Sequence, residues 1–144
     1  MTTIREANAV WDGNIEDGAG SIELGAEAQG YFNRETRHTN GKHHNPETLA
    51  AGALAGCYAM TLAGQLASSG FTPVQIKVAV RVILDKKVDG TPFIPTVAIS
   101  ARAQVNNIDH DAFTEIADEA CLYCPMANLF AGAELTLEAD TIGG

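Results

Sequence analysis

Three cysteines, Cys57, Cys121 and Cys124, are the residues whose type and position could carry chemistry in this chain. Cys57 lies inside the uncharged run from Leu49 to Ala67, with Ala53, Leu54, Met60 and Thr61 one helical turn away on either side. Burial among such neighbours raises a thiol's pKa and leaves it inert, and a structural core cysteine is the commoner outcome. A nearby cation reverses that. The polar stretch just upstream offers Arg34, Arg37, Lys42, His43 and His44. A guanidinium folded over Cys57 would stabilise the thiolate, and Glu47 could hold that guanidinium in a two-pronged carboxylate contact.

Cys124 directly precedes Pro125 and is placed to cap a new helical turn, where backbone N–H groups and the helix dipole lower a thiol's pKa. A cysteine so placed attacks and leaves readily in disulfide exchange, while a satisfied core thiol fits the position equally well. Cys121-Leu-Tyr-Cys124 has C-x-x-C spacing, yet Cys121 ends a helix, whereas a redox pair of that kind follows a strand and opens one. A zinc site built from His43, His44 and the two late cysteines is conceivable. Adjacent histidines point in different directions, however, so solvated loop residues are expected and no metal is assigned. His110, between Asp109 and Asp111, reads as a surface residue at a helix start.

At 144 residues the chain fits a single domain spanning 1–144. Nine basic residues against eighteen acidic ones give a formal charge of −9, which repels phosphate backbones and anionic lipid. Nucleic-acid and membrane partners are therefore not expected. The N-terminal residues are polar and charged from the outset, which points to cytoplasmic residence, where thiols stay reduced. Leu49 to Ala67 approaches the length of a membrane span, but alanine and glycine dominate it and Tyr58, Thr61 and Gln65 are polar. It reads as a buried core helix.

The elements around the cysteines follow from periodicity and punctuation. Residues 5 to 13 and 20 to 27 read as two strands, and Asn33 to Asn45 as a long loop. Asn45 then caps a helix that Pro46 opens and Gly70 stops, apolar all round and so expected to be covered on all sides. Val74, Ile76, Val78, Val80, Val82 and Leu84 alternate with wetter residues, and a second β-rich stretch follows the Asp89-Gly90 turn. A helix from about Asp109 carries Phe113, Ile116, Ala117 and Ala120 at helical spacing, breaks at Pro125 and resumes. Glu134 to Ala139 alternates as a final strand. The order ββ-α-ββ-α-α-β is that of an α+β protein.

Several of these segments together resemble the OsmC/Ohr family of thiol peroxidases, and within it the osmotically inducible OsmC branch. They are Ala9-Val-Trp-Asp-Gly-Asn, the helix start Asn45-Pro-Glu-Thr-Leu-Ala-Ala-Gly-Ala-Leu-Ala-Gly-Cys57, Leu84-Asp-Lys, and Cys124-Pro-Met-Ala-Asn-Leu-Phe running on to Glu134-Leu-Thr-Leu. The resemblance implies an antiparallel sheet wrapped on a long buried central helix, in an intertwined homodimer. It implies that Cys57 is the peroxidatic thiol, that Cys124 resolves it as a disulfide, and that Arg37 and Glu47 form the supporting pair. Arg37 is preferred to Arg34 because it precedes Asn45 by the separation the OsmC branch uses. Cys121 lies outside the family pattern and is expected to be a bystander or a secondary target of oxidation. Organic hydroperoxide is the implied substrate, held by apolar walls from Ala53, Leu54, Met60 and Phe130. An external dithiol, of lipoyl type, resets the enzyme, and no cofactor is needed. A small-molecule or lipid carrier, or a redox sensor, on the same fold is the alternative.

Overall fold

The computed structural model describes residues 6–12, 18–23, 29–38 and 45–142. Two compact units divide the chain, Met1–Leu49 and Ala50–Gly144. In the first, strands β1 (Asn8–Asp12), β2 (Ala19–Glu23) and β3 (Gln29–Phe32) form an antiparallel sheet in that order. Trp11 of β1 and Phe32 of β3 bring their rings within 5.7 Å. Two of these strands are expected from the sequence. The third is only four residues long and contains a glycine, too short for alternation to reveal it.

The stretch expected to be a loop opens instead with a helix, α1 (Arg34–His38). Asn33 caps it: its Oδ1 accepts from the Thr36 amide at 2.9 Å, and the Thr36 hydroxyl accepts from the Asn33 amide at 3.0 Å. This is the reciprocal logic of a capping box with threonine in the place of the usual glutamate. Lys42, His43 and His44 lie outside the described residues.

Helix α2 (Pro46–Ser68) starts where expected, with Asn45 Oδ1 accepting from the Thr48 amide at 2.8 Å and Pro46 in the first helical position. It also stops where expected. Gly70 adopts φ +87°, its amide reaches Ala67 O, and the Phe71 amide reaches Leu66 O at 2.9 Å. That is a Schellman ending, which needs a residue free to take positive φ. By length and composition α2 could cross a bilayer, but here Leu54, Tyr58, Leu62 and Leu66 form a fully buried stripe in the core. The stripe repeats every four residues, while Met60 is 78% exposed and a Cβ built on Gly52, Gly56 or Gly64 would meet nothing within 4 Å. Among the described residues of the second unit, the packing partners of α2 lie along this one stripe.

In the second unit β4 (Pro73–Lys86) and β5 (Pro92–Val105) form a long antiparallel hairpin. Gly90 takes φ +86° at its turn, and the Asp89 carboxylate accepts from the Thr91 amide. From Ile76 to Leu84 the even-numbered residues are half-buried and the odd-numbered ones exposed. Val74 falls outside this pattern at 60% exposure, beside a register shift between Pro73 and Gln75. Strand β6 (Glu134–Thr141) joins β5 in parallel, from Thr96↔Glu134 to Ala103↔Thr141. The sheet is therefore mixed, not wholly antiparallel, because the chain between β5 and β6 runs back through a helical crossover, the connection that parallel strands require.

That crossover contains α3 (His110–Tyr123) and α4 (Pro125–Leu129). The Asp109 side chain caps α3 through the Ala112 amide at 2.8 Å, and Phe113, Ile116, Ala117 and Ala120 are its buried face, as their spacing predicts. They share one core with the α2 stripe and with Val97, Ile99, Ala101, Ala103 and Val105 of β5. His110 is exposed at the start of α3, 3.6 Å from the Asp140 carboxylate. Replacing Asp109 with Ala should lower unfolding free energy by about 1 kcal/mol, the usual cost of losing such a cap. A urea titration with an unchanged midpoint would show that α3 does not depend on it.

Candidate active site

Two sulfurs far apart in sequence meet in the second unit. Cys57 is half-buried on α2 and Cys124 is fully buried. The Cys124 thiol donates to Cys57 Sγ at 3.5 Å. Both are free thiols, and a covalent S–S bond of about 2.05 Å would need roughly 1.5 Å of closure. Pro125 accounts for the position of Cys124: a residue before proline is driven out of the helical region, and Cys124 has φ −73°, ψ 115°. It ends α3 and opens α4 at the same point, on the core side. Cys57 comes from a different turn of logic, one residue before Tyr58 of the buried stripe, with the Thr61 hydroxyl donating to its carbonyl at 2.9 Å.

Burial pushes the Cys124 thiol above its ordinary value, and the Cys57 sulfur beside it adds to that rise. The amides of Ala127 and Met126 pull the other way and lose. Of the two readings the sequence leaves open at this position, the helix-start lowering does not prevail, because α4 has a single short turn while Cys124 is fully buried. Cys121, half-buried on the last turn of α3, is also raised, by burial first and then by Cys124 and Asp118. Tyr58 was not legible as a site residue. Its ring is fully buried and its hydroxyl donates to Ala117 O at 2.9 Å, and burial carries its pKa far above the ordinary 10.0.

In the first unit Arg37 Nε lies 3.1 Å from Glu47 Oε1. The contact is one-pronged: Glu47 Oε2 is buried and has no hydrogen-bond partner among the described residues. Glu47 occupies the first turn of α2, the helix that carries Cys57. The second unit also holds an apolar cavity of about 220 Å³, lined by Ala50, Val82, Ile94, Val97, Leu129 and Phe130 among others. Phe130 borders this cavity, and neither Cys57 nor Cys124 is among the residues that line it. Leu54 is spent in the core, and Ala53 and Met60 are exposed and do not line this cavity. Among the described residues no group of histidines, cysteines and carboxylates is arranged to hold a metal ion.

The family model described as OsmC-like protein matches residues 39–139, which include both sulfurs and Glu47. The chain belongs to the OsmC-like family. Solved OsmC-like structures share its fold at low identity. An OsmC-like protein from Mycoplasma pneumoniae superposes with TM-score 0.78 at 16% identity, covering 99% of this chain and 100% of that one. The organic hydroperoxide resistance protein OhrB of Bacillus subtilis gives 0.73 at 20%, covering 94% and 98%. A Legionella pneumophila structure described as an organic hydroperoxide resistance protein OsmC and predicted redox protein gives 0.75 at 16%, covering 96% and 99%. No curated protein matches the sequence.

Two outcomes test this geometry. Mild oxidation with diamide should link Cys57 to Cys124, seen by peptide mapping as a loss of two hydrogens, and leave Cys121 alkylatable; a dominant Cys121 linkage would contradict it. Cys121, Cys124 and Tyr58 all hold their protons more tightly folded than unfolded, so the unfolded chain releases them first. Their contribution to stability is full below the ordinary thiol value of 9.0 and declines as pH rises past it, with Tyr58 following above 10.0. The urea midpoint of the reduced protein should accordingly fall between about pH 8 and pH 11, and a flat or rising midpoint would refute the assignment.

Proposed function

We propose that this protein is a thiol peroxidase that reduces organic hydroperoxides through Cys57 and Cys124. The observation that carries the reading is the 3.5 Å approach of two free sulfurs, one half-buried and one fully buried. In the first step the Cys57 thiolate attacks the peroxide, the O–O bond breaks, and an alcohol leaves after taking up a proton. Cys57 becomes a sulfenic acid. The Cys124 sulfur then displaces the hydroxyl, its own proton leaves with that hydroxyl as water, and the disulfide forms. An external dithiol, of lipoyl type by family resemblance, reduces the disulfide and is itself oxidised.

Arg37 is assigned the stabilisation of the thiolate, supported by the Glu47 carboxylate that holds its guanidinium at the head of α2. The apolar cavity at Phe130 favours substrates with an organic tail, since burying that tail contributes transfer free energy that hydrogen peroxide lacks. The names of OhrB and the Legionella protein, both organic hydroperoxide resistance proteins, agree with this substrate class. A homodimer accounts for the bare apolar side of α2 around Met60, Gly52 and Gly56.

Steady-state turnover of an organic hydroperoxide with dihydrolipoamide decides the matter. Cys57→Ser should abolish turnover, and Cys124→Ser should stop after one turnover with a trapped sulfenic acid. Arg37→Met should lower kcat/KM by about a hundredfold, the size typical of losing one charged stabilising group. Peroxide that leaves all three thiols intact would mark a carrier and defeat the proposal.

A further inference from the structure

Disulfide formation needs more than two nearby sulfurs, because a displacement of about 1 Å at the reacting atoms can cost a hundredfold in rate. Cys124 belongs to the same buried cluster as Leu54, Leu62, Phe113 and Ala120, and Cys57 packs against that cluster. Hydrophobic burial of that kind is non-directional and sets how deeply α2 and α3 pack more firmly than how far one slides along the other. A hydrogen bond fixes both distance and direction.

Tyr58 provides one. It follows Cys57 directly, is 0% exposed, and donates through its hydroxyl to Ala117 O of α3 at 2.9 Å. Ala117 precedes Cys124 by seven residues, close to two full helical turns, so the two occupy the same side of α3, and both are fully buried. The Ala117 carbonyl is also the α-helical acceptor for the Cys121 amide. Helix α3 thus does not need the tyrosine to satisfy that carbonyl, and a phenylalanine would fill the same volume without orphaning an acceptor.

We propose that Tyr58 is a positioning residue for disulfide closure, its hydrogen bond to Ala117 setting the register of α2 on α3 that brings Cys57 and Cys124 together. The inference rests on the peroxidase reading above. The step it controls joins the two sulfurs, breaks the sulfenic S–O bond and expels water. Tyr58 makes and breaks no bond in it. Peroxide attack, which involves Cys57 before Cys124 reacts, does not depend on the register.

Rapid mixing of the reduced protein with an organic hydroperoxide, with sulfenic acid trapped by dimedone, separates the two phases. Tyr58→Phe should form sulfenic acid at the wild-type rate and close the disulfide about five- to tenfold more slowly, the size expected of one buried neutral hydrogen bond. Closure at the wild-type rate, or slowing of both phases in proportion with a lowered unfolding midpoint, would reduce Tyr58 to a structural core residue and overturn the inference. Site-specific 3-fluorotyrosine at position 58 keeps the donor and should close no more slowly than wild type; slow closure there would also overturn it. If wild-type protein forms no sulfenic acid, the peroxidase reading itself fails and takes this inference with it. A wild type that oxidises normally beside an unaffected Tyr58→Phe removes only the inference.

Discussion

Pro125 cannot continue α3, and its ring drives the preceding residue into extended backbone. At that forced break stands Cys124, fully buried and touching Cys57. The rest of the second unit can be understood as what makes this break useful. The α2 stripe and the inner face of β5 create a dry interior, the buried face of α3 sets the depth at which the break lies, and α4 carries the chain away toward β6. Without the interior the second sulfur would be an ordinary solvated thiol. Without the proline it would be one more helical residue.

Dehydration and helix ends compete at this point, and magnitude decides between them. A helix start can lower a thiol's pKa, but α4 is a single turn of Pro125–Leu129 and offers few aligned peptide dipoles. Full burial wins, so Cys124 keeps its proton and donates it to Cys57 Sγ. That proton is the one a departing hydroxyl needs. The same burial that makes Cys124 a poor free nucleophile thus keeps on its sulfur the proton that leaves as water in the step in which it is proposed to act.

Local chemistry made much of this fold readable from sequence. Asn45-Pro46, Gly70, Asp109 and Pro125 each act through backbone geometry or a single cap, and each marks its boundary in the structure. Helix α1 escaped although its Asn33–Thr36 cap is local, whereas the other features that escaped depend on pairing the sequence does not display. Strand β3 is recognisable only by its pairing with β2, and the parallel sense of β6 only by where the crossover delivers it. The approach of Cys57 to Cys124 could be inferred from family resemblance but not from spacing, since the two are 67 residues apart. Tyr58 was hidden for another reason: in an apolar helix its ring reads as core, and its hydroxyl gains meaning only once Ala117 is opposite.

The crossover between β5 and β6 is anchored at both ends by sheet register, from Thr96↔Glu134 onward. Between His110 and Leu129 every residue but Cys124 is helical. One residue inserted or removed within α3 would turn the sulfur by about 100° around the helix axis, away from its partner. Amino-acid identities can drift widely on such a span, while its residue count is held by geometry.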